Sequence, residues 1–361
     1  MKVLVAMSGG VDSAVAAALL RDEGHDVTGV HLKLADVPLD EQVPGQGCCT
    51  LDDAQDARRV AQVLDIPFYV WDLSEVFRRK VEQPFAATYA RGWTPNPCIA
   101  CNRGVKYAAL LTRARALGFD ALATGHHVRR RRACDGRWRL LRAVDRVKDQ
   151  TYVLYIVTQE QLAHSLFPAG ELAKEEVRGE AERRGLRVAR KPDSYDVCFV
   201  PGGDAGSYLD ARLPAESGPI IDLGGRVLGT HEGIWRYTVG QRRRLGLGSH
   251  ERRYVVALDA RRNSVVVGPR AALACSWIEL AEASWVSGHA PLGPVTAQIR
   301  AHAEPVPASL SRQGSGWRVS FERPIEGVAE GQACAFYSAE DAEECLGGGT
   351  IVRAERPAVA V

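Results

Sequence analysis

At 361 residues, 46% hydrophobic and 25% charged, the chain has the makeup of a soluble globular protein long enough for two or three domains. No apolar run approaches the roughly 20 residues a bilayer span needs, and Val3 to Met7 stops at Ser8-Gly9-Gly10 before it could form a signal h-region, so a cytoplasmic location with no membrane partner is expected. The net charge of +2 conceals two basic zones, +7 from Val128 to Lys148 and +5 from Arg226 to Arg253, which leave the remainder at −10; a polyanionic partner and a solvated arginine-rich face both fit that pattern.

In chain order, Lys2 to Met7 reads as a strand, and Val11, Ala14, Val15, Ala18 and Leu19 recur at helical spacing before Gly24. Val27 to Leu32 and Phe68 to Trp71 read as further buried strands, with a helix between them from Asp52 or Asp53 through Leu64. A helix from Val105 to Leu117 leads to a strand over Ala121 to Thr124, and Asp135-Gly136 between two arginine-rich runs predicts a hairpin projecting from this domain. Repeated strand-helix units predict a parallel sheet covered on both faces. Past Pro201 the texture turns to glycine, proline and short segments, placing a boundary near residue 205. Tyr254 to Leu258 and Ser264 to Val267 form a predicted hairpin, and Val295 to His302, Trp317 to Phe321, Ala333 to Tyr337 and Thr350 to Ala354 read as strands of a small C-terminal β-barrel. The expected division is 1–204, 205–272 and 273–361.

Two features carry chemistry. Ser8-Gly9-Gly10-Val11-Asp12-Ser13 joins the first strand to the first helix, where glycines let backbone amides approach a ligand and the helix start favours anions. It lacks the Gly-Lys-Ser/Thr of a Walker loop and the Gly-x-Gly-x-x-Gly of dinucleotide folds. It resembles the pyrophosphate loop (PP-loop) of enzymes that split ATP between its α and β phosphates; these generally hold Mg²⁺ on the pyrophosphate, with Asp12 as a reasonable contributor. Argininosuccinate, GMP and NAD synthetases share that loop, so the product stays open on this signal alone.

The second feature is cysteine. Nine cysteines in a chain without an export signal argue against a disulfide framework and for thiols with chemical tasks. Thr94 to Asn102 presents Cys98-Ile99-Ala100-Cys101 in a proline-rigidified loop before a helix, a position that lowers a thiol's pKa. Cys198 stands alone in Ser194 to Phe199. Cys134, Cys275, Cys334 and Cys345 read as packing residues, Cys48-Cys49 as structural or incidental, and His164 as surface or core rather than catalytic.

These motifs resemble, over essentially the full length, the bacterial tRNA-specific 2-thiouridylase (MnmA) family. Thr124-Gly125-His126, Lys148 to Tyr152, Ser165 to Pro168, Val197-Cys198-Phe199, Thr238 to Arg242 and Cys345 to Gly349 add to the resemblance in order. It implies an α/β fold with an adenine nucleotide alpha-hydrolase-like ATP pyrophosphatase domain, a small central domain and a barrel. It implies ATP held by Ala6, Met7, Ser8, Gly9, Gly10, Val11, Asp12 and Ser13, with Leu32 and Gly125 on the adenine side. Cys198 matches the family position that receives a persulfide from a cysteine desulfurase or relay protein, Cys101 matches the nucleophile, and a transient Cys101 to Cys198 disulfide follows. Asn96, Pro97 and Cys98 match the loop against the target base. His126, Lys148, Asp149, Gln150, Arg300, Ala301, His302 and Gln332 match contacts to tRNA, whose implied anticodons are the Lys, Glu and Gln type. The activity so implied is ATP-dependent 2-thiolation of wobble uridine U34.

The chain departs from the family pattern at three places. Cys98 stands where Asp is usual, His127 where Tyr is common, and Arg300-Ala301-His302 where Arg-Tyr-Arg is expected. A third thiol opens the alternative of a [4Fe-4S] cluster on Cys98, Cys101 and Cys198, whereas a lone Cys-x-x-Cys is weak support for zinc. A different adenylating ligase, or an RNA-binding protein with a vestigial ATP fold, are the remaining rivals.

Overall fold

The computed structural model describes residues 1–35, 51–193, 197–200, 204–248 and 252–356. Its N-terminal part is built from β1 (Lys2–Ala6), α1 (Val11–Asp22), β2 (Asp26–Lys33), α2 (Leu51–Val63), β3 (Phe68–Asp72) and β4 (Ala121–Thr124), followed by the hairpin β5 (Val128–Arg132) and β6 (Trp138–Arg142) and by the short β7 (Ser165–Leu166). Five of these strands form a parallel sheet in the order β3-β2-β1-β4-β7. β1 is central, so Val3, Leu4 and Val5 are wholly buried, as a strand covered on both faces requires. β3 differs from the buried strand expected at Phe68 to Trp71. It is the sheet edge, with β2 as its strand neighbour, and Tyr69 and Val70 remain 56% and 46% exposed. Its apolar residues signal strand propensity rather than burial.

The helix expected to begin at Val105 begins at Pro97. Asn96 has extended backbone, and its side-chain oxygen accepts hydrogen bonds from the amides of Cys98 (3.1 Å) and Ile99 (3.3 Å). Pro97 takes the first helical position, where its missing N–H is no loss. One helical segment then runs as Pro97–Cys101, a π-helical stretch Asn102–Leu110, and Leu111–Ala116. Cys98 and Cys101 therefore lie on its first turns, not in a preceding loop.

β8 (Gly218–Asp222), β9 (Val227–His231), β10 (Tyr254–Asp259) and β11 (Ser264–Gly268) form a second sheet in the order β10-β11-β8-β9. The third sheet holds β12 (Cys275–Trp285), β13 (Gly293–Gln298), β14 (Val306–Gln313), β15 (Gly316–Ile325), β16 (Ala333–Ser338) and β17 (Glu344–Ala354), closed into a barrel by pairing of β12 with β17. β12 and β14 were not legible in advance, and the strand expected through His302 stops at Gln298. Closure leaves the barrel core lined by alternate residues such as Ala308, Leu310, Val319, Phe321 and Phe336.

The hairpin turning at Asp135-Gly136 does not project freely. β6 pairs with β17, Leu141 opposite Glu344 and Leu140 opposite Cys345, so the N-terminal part donates two strands to the barrel sheet. Cys134 at its tip is exposed, against the expectation of a packing role, whereas Cys275, Cys334 and Cys345 are buried. Burial raises the Cys275 thiol to about 11 and the Cys345 thiol to about 12, which keeps both protonated and inert. Cys48 and Cys49 lie outside the described residues.

Candidate active site

The loop from Ser8 to Ser13 crosses the carboxyl end of β1, beside the carboxyl end of β4, where Ala6 pairs with Thr124. β2 and β4 flank β1 on opposite sides, and the crevice at such a switch point is where open parallel sheets bind ligands. Gly9 has φ +80°, and a Cβ there would sit 2.4 Å from the carbonyl oxygen of Asp53. A Cβ at Gly125 would lie 2.5 Å from the amide nitrogen of Ser13. Both glycines thus let neighbouring backbone close on the loop. Ser13 Oγ accepts from the Ser8 amide (3.1 Å) and donates to the Gly10 carbonyl (3.1 Å), tying the turn to the first turn of α1.

A shell of cations that the sequence reading missed surrounds this loop. Buried Lys174 donates to both oxygens of Asp12 (2.7 and 2.8 Å), and His127 Nε2 donates to the first at 3.0 Å. His127, one of the departures from the family pattern, is therefore part of the loop's support. Burial alone would raise Asp12, but these bonds and the Lys174 charge hold it below the ordinary carboxylate range. Lys174 also pairs with Asp193 (2.9 Å), as do Lys148 (2.7 Å) and Arg178 (2.8 Å). Against the opposing effect of burial, the Lys148 and Lys174 hydrogen bonds and charges lower Asp193 to about 2. Lys191 donates to the Gly9 carbonyl (3.1 Å), Asp53 (2.7 Å) and Asp56 (2.7 Å). Lys191 and Asp193 immediately precede Ser194 to Phe199, so extending that stretch by a few residues upstream was the available signal. Lys174, on a charged surface-type helix, gave none.

Asp12, already bonded by Lys174 and His127, is poorly disposed to hold Mg²⁺, and among the described residues no three His, Cys, Asp or Glu side chains form a metal-ligand group. Cys98, Cys101 and Cys198 are described residues, so the iron–sulfur alternative finds no ligand set here.

Cys101 and Cys198 are both thiols: Cys101, 7% exposed, belongs to the large apolar cluster, and Cys198, partly buried, packs against it. Phe199 anchors Cys198 there, its ring meeting Phe77, Phe85 and Tyr208 edge-on at 5.3, 5.3 and 5.4 Å. Cys98 is exposed. The loop before the thiol helix is held by loops of the later parts of the chain: the Thr94 amide donates to the Glu330 carbonyl (2.8 Å), the Thr94 carbonyl accepts from Gln332 (3.0 Å), and Thr94 Oγ1 donates to Thr238 (3.3 Å).

The residues matched to tRNA contacts are scattered in environment. Arg300 and His302 are exposed and Ala301 half-buried, Arg300 donating to the Val239 carbonyl at 3.1 Å. Gln332 holds Thr94. His126, Lys148, Asp149 and Gln150 are not the open surface expected: His126 is 8% exposed, Lys148 pairs with Asp193, Asp149 accepts from Arg142 (3.1 Å) and Thr151 (2.7 Å), and Gln150 accepts from the His127 amide (2.9 Å). The basic zone at 128–148 is also largely committed, since Arg129 and Arg146 meet Glu343, Arg139 meets Glu344, and Arg130 donates to the carbonyls of Leu162 and Ala163. Arg242, Arg243 and Arg244 are exposed. Among the described residues no helix is long and apolar enough to cross a membrane.

Residues 1–202 match the model of the tRNA methyl transferase HUP domain, 206–269 that of the tRNA methyl transferase PRC-barrel domain, and 276–351 that of the aminomethyltransferase beta-barrel domain. Proteins named tRNA-specific 2-thiouridylase MnmA are 49% identical in Thermobifida fusca, covering 99% of this chain and 97% of that protein, and 49% identical in Salinispora tropica, covering 97% and 99%. One from Chloroflexus aurantiacus is 50% identical over 98% of this chain and 99% of its own. A 4-thiouridine synthetase solved with RNA and ATP shares 17% identity over 59% of this chain and 50% of its own at a TM-score of 0.34, a partial likeness. With matches of this identity along nearly its whole length, and with the loop and both distant thiols in place, the chain belongs to the tRNA-specific 2-thiouridylase family.

Proposed function

We propose that this protein places sulfur on C2 of U34 in tRNAs with Lys, Glu and Gln type anticodons, consuming ATP. The observation that carries the reading is the pairing of a cation-braced phosphate loop at the sheet's switch point with two thiols distant in sequence, Cys101 within the large apolar cluster and Cys198 packed against it. Residues 1–204 would carry the chemistry, with 205–272 and 273–361 holding the loop before the thiol helix and the RNA.

On this reading Ala6 to Ser13 bind ATP, with Leu32 and Gly125 on the adenine side, and any Mg²⁺ arrives on the nucleotide's phosphates. The uridine C2 oxygen attacks the α-phosphorus; the new O–P bond forms as the bond to the β-phosphate breaks, and pyrophosphate leaves with the electron pair. Oxide is a poor leaving group, and joining that oxygen to AMP makes it displaceable. A cysteine desulfurase or relay protein loads a persulfide on Cys198. The Cys101 thiolate attacks the inner sulfur, the Cys101–Cys198 disulfide forms, and sulfide leaves to attack C2 and expel AMP. A dithiol reductant then restores both thiols by a two-electron exchange. Methyl transfer would require neither the loop nor the second thiol.

The test is transfer of labelled sulfur from cysteine, through a cysteine desulfurase, to unmodified glutamate tRNA, comparing the native chain with Cys101→Ser and Cys198→Ser. The reading expects 2-thiouridine only with ATP and both thiols, in iron-free protein. Activity that tracks bound iron would install the cluster reading, and no sulfur in RNA under either condition would refute thiolation.

A further inference from the structure

Each cation named around the loop so far already holds a carboxylate: Lys174 holds Asp12 and Asp193, Lys191 holds Asp53 and Asp56, and Lys148 and Arg178 hold Asp193. Lys106 differs. It stands five residues after Cys101 on the thiol helix, is half-buried, and among the described residues has no carboxylate within ion-pairing distance. Its ammonium meets His126 Nε2 at 3.2 Å. An ammonium can only donate, so Nε2 accepts, and Nδ1–H donates to Thr124 Oγ1 at 2.8 Å. The ring is neutral, as its burial and the neighbouring Lys106 and His127 charges also favour.

His126 follows Gly125, whose backbone closes on Asp12 and Ser13. The Lys106 ammonium is thus fixed at the carboxyl end of β4, on the thiol side of the same crevice that the phosphate loop lines. A cation partly stripped of water beside a neutral ring lacks a counter-charge, and such a group is pre-organised for an anion that arrives with the substrate. The loop, Lys174 and Lys191 occupy the other side, where the pyrophosphate end belongs. The phosphoryl group nearest the thiol helix is then the α-phosphate, where C2 oxygen attacks.

We propose that Lys106 is a catalytic residue that contacts the α-phosphate of ATP and stabilises charge on its non-bridging oxygens during adenylation, with His126 fixing the ammonium; this rests on the thiolation reading. A phosphate of the tRNA backbone is the other source of the same chemistry. The full-length chain, Lys106→Met and Lys106→Arg are compared in four measurements: calorimetric binding of AMP, binding of inorganic pyrophosphate, tRNA affinity without nucleotide, and tRNA-dependent AMP release. Persulfide loading of Cys198 by a desulfurase, which needs no ATP, serves as the control for folding. Lys106→Met is expected to weaken AMP binding about tenfold or more, as loss of a charged hydrogen bond does, and to lower the rate of AMP release by about 10²–10³-fold with a smaller change in KM. Pyrophosphate binding and persulfide loading stay near native, and Lys106→Arg recovers part of the rate.

Unchanged AMP binding and release would overturn the proposal. Parallel loss of pyrophosphate binding and persulfide loading would make Lys106 a structural residue, and loss confined to tRNA affinity would assign it to the RNA backbone. Should the native chain release no AMP with tRNA, the thiolation reading falls, while AMP against pyrophosphate binding still decides where Lys106 acts.

Discussion

Asp193 shows how single residues tune the loop. Its pKa is about 2, held there against burial by Lys148 and Lys174, whereas an unfolded aspartate titrates near ~3.9. A depressed carboxylate contributes stability that is present above the unfolded value and lost as pH falls through the folded one. Asp193→Asn should therefore lower Tm at pH 7, and the gap from the native chain should close between about pH 4 and pH 2; a gap constant over that range in thermal melts would remove the charge from the explanation. Gly125 is constrained by space. A Cβ there meets the Ser13 amide nitrogen at 2.5 Å and the Asp12 carbonyl carbon at 2.7 Å, both backbone, and relief of such overpacking typically costs about 1–3 kcal/mol. Gly125→Ala should lower Tm and weaken ATP binding together, as calorimetry would show.

At the scale of elements, the thiol helix depends on its cap. The Asn96 side-chain oxygen accepts from two amides of the first turn, leaving the amide NH₂ for another partner. Asn96→Ala should cost about 1 kcal/mol of stability. Asn96→Asp keeps the acceptor and adds a charge favoured at a helix start, so its Tm should equal or exceed the native value. If the NH₂ group contacts the target base, both variants lose thiolation, and an Asn96→Asp chain with full thiolation in the sulfur-transfer assay would confine Asn96 to capping. The same helix explains why Cys98 and Cys101 differ. Cys98 is exposed on the first turn while Cys101 is buried in the cluster against which Cys198 packs.

Across the whole molecule the sheets share one apolar cluster, which runs from Leu4 and Cys101 through Tyr208, Ile220 and Val255 to Tyr337 and Cys345. The β5–β6 hairpin, paired with β17, and the Thr94 contacts to Glu330, Gln332 and Thr238 join the parts by hydrogen bonds as well. The arginine-rich zones consequently divide in purpose. Arg142 donates to Asp149 at 3.1 Å and lies over the Tyr337 ring, so Arg142→Ala should lower Tm markedly. The exposed pair Arg242 and Arg243 should behave oppositely. Replacing both with Ala is expected to leave Tm within a degree or two but to flatten the salt dependence of tRNA binding, its log–log slope falling by about 1.4–1.8 if each contacts one phosphate. Titrations from 50 to 200 mM salt would check this, and an unchanged slope would place the RNA elsewhere.

The sequence by itself determined the alternation of strands and helices, the phosphate loop, the two distant thiols and the family. These are local or composition-borne signals: a period of hydrophobic residues, a glycine-rich turn, cysteines in particular stretches. It misjudged the start of the thiol helix because Pro97 suits a rigid loop and a first helical position equally well, and it read β3 as buried because apolar β-formers occur on edges too. Only tertiary structure decided that Lys174, Lys191 and Asp193 brace the loop, that Arg129 and Arg142 serve the hairpin, and that Lys106 meets His126 just past the carboxyl end of β4. Ion pairs and hydrogen bonds of this kind join residues as far apart as Lys191 and Gly9, 182 positions, or Arg129 and Glu343, 214 positions. A lysine's sequence neighbours carry no record of the carboxylate, ring or absent counter-charge that folding sets beside it.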